Sequence, residues 1–116
     1  MNADKEVALF TYGTLQLETI QRKHFGRLLK GAADTLLGYK MDWIAIPDPE
    51  IIKTLGQANY AALVKSPNPD EEITGMVYTI TEAELAAADH YEGEAYRRIE
   101  VVLKSGLKAW VYVKAD

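Results

Sequence analysis

The chain has 116 residues, 48% of them hydrophobic and 26% charged, with 13 basic and 17 acidic side chains and a formal net charge of −4. That is the composition of one soluble globular domain over residues 1–116, large enough to bury about two-thirds of its surface around one core and one pocket. No basic run exceeds the pair Arg97-Arg98 and there is no cysteine, which speaks against nucleic-acid and anionic-membrane partners and excludes disulfides, thiolate nucleophiles and cysteine metal sites.

The opening MNADKEVALF lacks the apolar run of a secretory signal, and no apolar stretch of about 18 residues follows, so the expected address is the cytoplasm. Oligomeric state is not legible in the residues. Val7 to Tyr12, closed by Gly13, reads as a buried strand entering a turn. Leu17, Ile20, Phe25, Leu28 and Leu29 fit a helix from Leu17 to Leu29, with Gly31 as its C-cap. Ala33 to Ile46 reads as one extended strand bent near Gly38, closed by Pro47 and Pro49. Pro49 to Gly56 reads as irregular or a short helical turn, and Ala58 to Val64 as a strand. Ser66-Pro67-Asn68-Pro69-Asp70 is the strongest turn signal in the chain. Ile73 to Ile80 is a strand, and Thr81-Glu82-Ala83-Glu84 has capping-box spacing before a helix reaching about Tyr91. Tyr96 to Lys104 and Leu107 to Lys114 form a hairpin around Ser105-Gly106. The count is about six strands and two helices in mixed order, an α+β fold in which a closed or nearly closed sheet would remove the edges.

Several chemistries fall away. Ser66 and Ser105 are the only serines, both in turns and neither in a G-x-S-x-G elbow. There is no G-x-G-x-x-G, and Gly26 to Gly31 has P-loop spacing but is followed by Ala32-Ala33. His24 and His90 lack metal-binding spacing and read as packed or surface histidines.

Two segments remain. In Phe10-Thr11-Tyr12-Gly13-Thr14-Leu15 a buried strand ends at a glycine. If the next residues approach a helix start, backbone N–H groups are left to hold a carboxylate or an oxyanion. The alternative is an ordinary strand-to-helix turn. In Leu85 to Gly93, helical spacing puts Leu85, Ala88 or Asp89, and Glu92 on one face. Leu85 marks that face as the core face, so Glu92 is carried inward at the helix end. Burial and the negative end of the helix dipole would both raise its pKa, as a general acid or base near neutrality requires. The alternatives are a frayed end in solvent or an ion pair with Arg97 or Arg98.

Taken in order, Tyr12-Gly13-Thr14-Leu15, Gly75-Met76-Val77-Tyr78, Asp89-His90-Tyr91-Glu92-Gly93, Tyr96-Arg97-Arg98 and Trp110-Val111-Tyr112 form a set covering nearly the whole chain. The set resembles the γ-glutamylcyclotransferase-like family, in particular its small AIG2-like and γ-glutamylamine cyclotransferase members. The resemblance implies a compact, barrel-like mixed sheet with short helices and a pocket at one end. It places the catalytic glutamate at Glu92, facing a substrate-binding loop of Tyr12, Gly13, Thr14 and Leu15, with Tyr96 adding a hydroxyl and Arg98 serving as a structural ion-pair partner. The implied reaction releases 5-oxoproline from a small γ-glutamyl substrate by attack of the substrate's own α-amine, with no metal or organic cofactor. The sequence departs from the family pattern in Ala88-Asp89, where a leucine precedes the aspartate, and in the short Gly93 to Tyr96 segment. A shift of the motif would move the acid to Glu94. Two further readings use the same pocket differently: a domain that binds a small carboxylate metabolite without turnover, and a protein-interaction domain.

Overall fold

The computed structural model describes residues 5–45, 49–50, 53 and 59–115. The elements described along their whole length are seven strands and two helices: β1 (Glu6–Thr11), α1 (Glu18–Phe25), β2 (Lys30–Leu37), β3 (Tyr39–Ala45), β4 (Asn59–Lys65), β5 (Glu72–Thr81), α2 (Glu82–Glu92), β6 (Tyr96–Val102) and β7 (Lys108–Lys114); Pro49, Glu50 and Lys53 are helical as well. A 3-10 turn, Thr14–Gln16, separates β1 from α1. No helix among the described residues is long and apolar enough to cross a membrane.

Side chains alternate along a strand, so Leu9 and Phe10 point to opposite faces of β1 and each face needs a cover. β1 is accordingly the middle strand of a five-stranded sheet in the order β2-β5-β1-β7-β6. Its pairing with β5 is antiparallel and with β7 parallel, Leu9 lying opposite Trp110. On one face Leu9 packs with Leu15, Tyr78, Ile80, Leu85 and Tyr112, and α2 supplies the cover. On the other, Phe10 packs with Leu36, Ile73, Val111 and Leu63, the last from the β3–β4 hairpin. The sheet curls around this second cluster, and its far ends meet where the Lys104 N–H, just past β6, donates to the Thr35 carbonyl of β2 at 2.8 Å.

The α+β class and the hairpin of β6 and β7 agree with the sequence reading, and three boundaries differ. There are seven strands, because the segment read as one bent strand is two. Gly38 takes φ +83°, and its N–H bonds Glu71 O at 2.8 Å while its carbonyl accepts from Ser66 N–H at 2.9 Å. The chain thereby leaves the five-stranded sheet and starts a separate ribbon of β3 and β4. The first helix stops at Phe25, with Gly26 as the left-handed cap at φ 71° and its N–H on Arg22 O. Leu28 and Leu29 lie beyond it, held by the buried Gln21. That amide donates to Leu15 O at 2.9 Å and accepts from Leu29 N–H at 3.0 Å, spanning both flanks of the helix. Gly31 is then a residue of β2, opposite Tyr78. Pro47 and most of Pro49 to Gly56 lie outside the described residues.

α2 begins with the expected capping box. Thr81 Oγ1 accepts from Glu84 N–H at 3.1 Å, and the Glu84 carboxylate accepts from Thr81 N–H at 2.9 Å. Arg27 adds a two-pronged bond to the same carboxylate at 2.7 and 2.8 Å. Because Glu82 N–H also bonds Lys5 O at 2.9 Å, α2 starts at the beginning of β1 and runs alongside it. Its last residue, Glu92, therefore reaches the end of β1 where the chain turns at Gly13.

Gly75 permits the close approach of β1 and β5 there. A Cβ at Gly75 would collide with the Thr11 carbonyl and sit 2.8 Å from Phe10 Cζ. Overpacking at a site walled by backbone destabilises by about 1–3 kcal/mol. Gly75→Ala is expected to lower the unfolding midpoint by several degrees, measured by thermal denaturation; an unchanged midpoint would show that the two strands can move apart freely.

Candidate functional site

The end of β1, the turn after it and the end of α2 surround a cavity of about 320 Å³. Its walls include Tyr12, Gly13, Leu15, Glu92 and Tyr96 from the sequence reading. Thr14 opens the 3-10 turn between Gly13 and Leu15, and its side chain lies outside the description. In that turn Gln16 N–H closes on Gly13 O at 3.1 Å, and the Gln16 amide ties back to Thr11 O at 2.8 Å. A turn of this kind leaves its first N–H groups, here those of Thr14 and Leu15, without a partner inside the turn.

Glu92 is the last residue of α2, ahead of the cap Gly93, whose N–H bonds Asp89 O at 3.1 Å. Ala88 and Leu85, one and two turns back, are buried against Leu9. The shared face carries Glu92 inward as expected, and it is partly buried. Burial pushes its carboxyl up from 4.5 to about 7. Among the described residues no cation pairs with it. Arg98 is engaged elsewhere, in a two-pronged bond to Asp89 at 2.7 and 3.0 Å and over the Trp110 ring at 4.4 Å. Arg97 and Glu94 are exposed and do not line the cavity.

Three tyrosines complete the polar lining, and each directs its proton away to a fixed acceptor. Tyr12 Oη donates to Tyr112 O at 2.6 Å, Tyr96 Oη to Ala61 O at 2.7 Å, and Tyr112 Oη to Asp89 Oδ1 at 2.7 Å. Burial, then the nearby Tyr96 and Glu92, hold the Tyr12 phenol protonated far above its ordinary range. Burial, then the bond to Asp89, does the same for Tyr112. A phenol whose proton is committed offers lone pairs to whatever lies beside it. The cavity thus presents oxygen acceptors and one carboxyl titrating near neutrality, and none of its described lining residues is a cation. That suits an amine or ammonium group of a ligand. Thr11 also lines it, and Thr11 Oγ1 is the one buried side-chain oxygen without a partner among the described residues. No three His, Asp or Glu side chains among them come together as metal ligands.

Sequence reasoning missed Phe10, Thr11, Leu17, Trp43, Ala61 and Tyr112 as wall residues. Tyr112 carried a signal, since it shares the β7 face with Trp110, on the side where α2 packs. Leu17 carried another: it occupies the N-cap of α1 and makes no capping bond, at a position where Ser, Thr, Asp or Asn is preferred. Trp43 and Ala61 face each other across the β3–β4 ribbon, and nothing local announces where that ribbon docks.

A family model described as "Gamma-glutamyl cyclotransferase, AIG2-like" matches residues 9–116. No individually curated protein matches the chain. Among solved structures, it is similar to a solution structure of a protein from Arabidopsis thaliana at TM-score 0.71 and 23% identity, covering 98% of this chain and 65% of that one. It is likewise similar to a structure titled "Gamma-glutamyl cyclotransferase", with TM-score 0.71, 19% identity, and 97% and 68% coverage. A crystal structure of an uncharacterized protein from Homo sapiens gives 0.70, 20%, 96% and 68%. The chain therefore spans about two-thirds of the length of these neighbours, and at such identities they establish the fold.

The Glu92 carboxyl makes a direct prediction for stability. Its pKa is raised on folding, from 4.5 to about 7, so the folded state holds the proton more tightly. The group carries no penalty below pH 4.5; stability then falls as pH rises through that value and has lost its full share above about 7. At about 1.4 kcal/mol per unit the loss is up to about 3 kcal/mol. Glu92→Gln is expected to match the parent near pH 4.5 and to exceed it at pH 8, in urea titrations at both values. A variant less stable than the parent at pH 8 would mean that the carboxylate has a structural partner.

Proposed function

Because the chain belongs to the AIG2-like γ-glutamyl cyclotransferase family, we propose that it releases 5-oxoproline from a γ-glutamyl amine or dipeptide, with Glu92 as the general acid and base. The observation that carries this reading is a carboxyl held near neutrality by burial, in a cavity without a described cation, across from the Tyr12-Gly13-Thr14-Leu15 turn.

The chemistry needs little more. The lone pair of the substrate's neutral α-amine attacks the γ-carbonyl carbon while Glu92 takes a proton from that nitrogen, closing a five-membered ring and pushing charge onto the carbonyl oxygen. Collapse breaks the bond to the leaving nitrogen, which takes the proton back from Glu92. The products are 5-oxoproline and a free amine, and no water is consumed. The N–H groups of the turn hold the substrate carboxylate or the developing oxyanion in this reading, where fixed donors act most strongly. Tyr12, Tyr96 and Tyr112 form the polar wall beside the amine. A folded glutamyl chain between these walls has its nucleophile beside its electrophile, and such proximity supplies much of the rate.

Purified protein is expected to release 5-oxoproline from members of a panel of γ-glutamyl amides and dipeptides. Glu92→Gln is expected to lower kcat/KM by about 100-fold or more while remaining folded. The kcat/KM of the parent should rise with pH through about 7 as Glu92 loses its proton. Full activity in the variant would remove Glu92 from the role. Thermal stabilisation by γ-glutamyl compounds with no product would make the cavity a binding site alone.

A further inference from the structure

Two large apolar side chains stand in water at the walls of the cavity. Leu17 is 53% exposed and Trp43 57%. They come from unrelated elements, and each breaks a local rule. Leu17 sits at the N-cap of α1, where a small polar side chain would satisfy a backbone N–H, and it caps nothing. Trp43 lies opposite Ala61 on the neighbouring strand, a partner too small to cover an indole.

The ribbon that carries Trp43 is nonetheless held firmly against the site. The Ala61 carbonyl accepts from Tyr96 Oη at 2.7 Å. Asp42, the residue before Trp43, accepts from the Trp43 N–H at 2.9 Å and from Lys114 Nζ at 3.3 Å. The indole is thus an exposed ring on a fixed backbone, continuous with the cavity that contains Glu92. Among the described residues that line the cavity none is a cation and the one acid is Glu92; Lys114, the cation beside Trp43, is paired with Asp42.

We propose that Leu17 and Trp43 form the leaving-group subsite of this cavity, and that it takes an uncharged aromatic or alkyl amine in preference to one bearing a carboxylate. The inference rests on the cyclotransferase reading and adds the chemistry of the second product. A ring laid against the indole removes apolar surface of both from water. A carboxylate placed there would lose hydration and meet no cation among the described lining residues, since Lys114 is already paired with Asp42.

Three substrates isolate the two terms. γ-Glutamyl-phenethylamide differs from γ-glutamyl-ethylamide by a phenyl ring, and from γ-glutamyl-phenylalanine by the absence of a carboxylate. The phenethylamide is expected to exceed each of the others in kcat/KM by about 10-fold or more. Trp43→Ala should bring the phenethyl-to-ethyl ratio to within about threefold. Leu17→Ser should also lower that ratio while holding or raising the unfolding midpoint, because serine caps α1; it keeps the test decisive if Trp43→Ala does not fold. Equal turnover of the two amides, preference for the phenylalanine conjugate, or a ratio that survives both substitutions would overturn the subsite. If none of the three yields 5-oxoproline, cyclotransfer fails for them, and the subsite is judged by the shift each compound causes in the unfolding midpoint. A larger shift with the phenethylamide, lost in Trp43→Ala, would uphold it; equal shifts, or none, would overturn it.

Discussion

Leu9 and Phe10 are consecutive residues of one strand and both are buried, on opposite faces. Everything else in the molecule answers that constraint. One face takes α2 and the turn before α1; the other takes the curl of the sheet and Leu63 of the β3–β4 ribbon. Strand and helix start together at the Lys5–Glu82 bond, so they also finish together. Where they finish, the backbone must turn at Gly13 and the helix must stop at Gly93. The cavity is the space that two covers, each fitted to its own face of β1, leave at that end.

Within this frame two acids on one helix meet opposite fates. Asp89 and Glu92 are three residues apart. Asp89 receives Arg98 and the Tyr112 hydroxyl. Glu92 receives neither and is pushed up by burial. The arrangement separates a carboxylate that organises the walls from a carboxyl that can exchange a proton near neutrality, the usual way in which one small site holds two acids with two roles. Asp89 also orients the cavity indirectly. Asp89 accepts the hydrogen bond of the Tyr112 hydroxyl and so fixes that ring, while the Tyr112 backbone carbonyl accepts the hydrogen bond of the Tyr12 hydroxyl.

What was legible in the sequence was whatever local chemistry decides. The capping box at Thr81 and Glu84 depends on side chains three residues apart, and it formed as spaced. Glu92 was placed inward by the helical period from Leu85, and the structure agrees because α2 has a single apolar face to bury. The boundaries that differ do so for physical reasons. Leu28 and Leu29 continue the apolar period of α1, but Gln21 satisfies backbone groups on both sides of the helix and lets it stop at Gly26. The division at Gly38 depends on Glu71 and Ser66, about thirty residues away, and no local window contains them. Trp43 belonged to the same class, since its place at the cavity follows from how a ribbon docks on Tyr96 and Lys114.

The two ends of the helix layer make the final comparison. At the start of α2, far from the cavity, every local rule is kept: the cap is boxed, Glu82 and Glu84 lie in the first turn, and Arg27 pairs with Glu84. Around the cavity the rules are broken together. Among the described residues Leu17 fails to cap, Thr11 Oγ1 has no partner and Glu92 has no cation, and Trp43 stands in water. Each departure is unfavourable for folding alone, and each could be relieved by one ordinary substitution. Their concentration at one end of β1, against the consistency elsewhere, is what a site kept for a ligand looks like in a chain whose remaining residues serve stability.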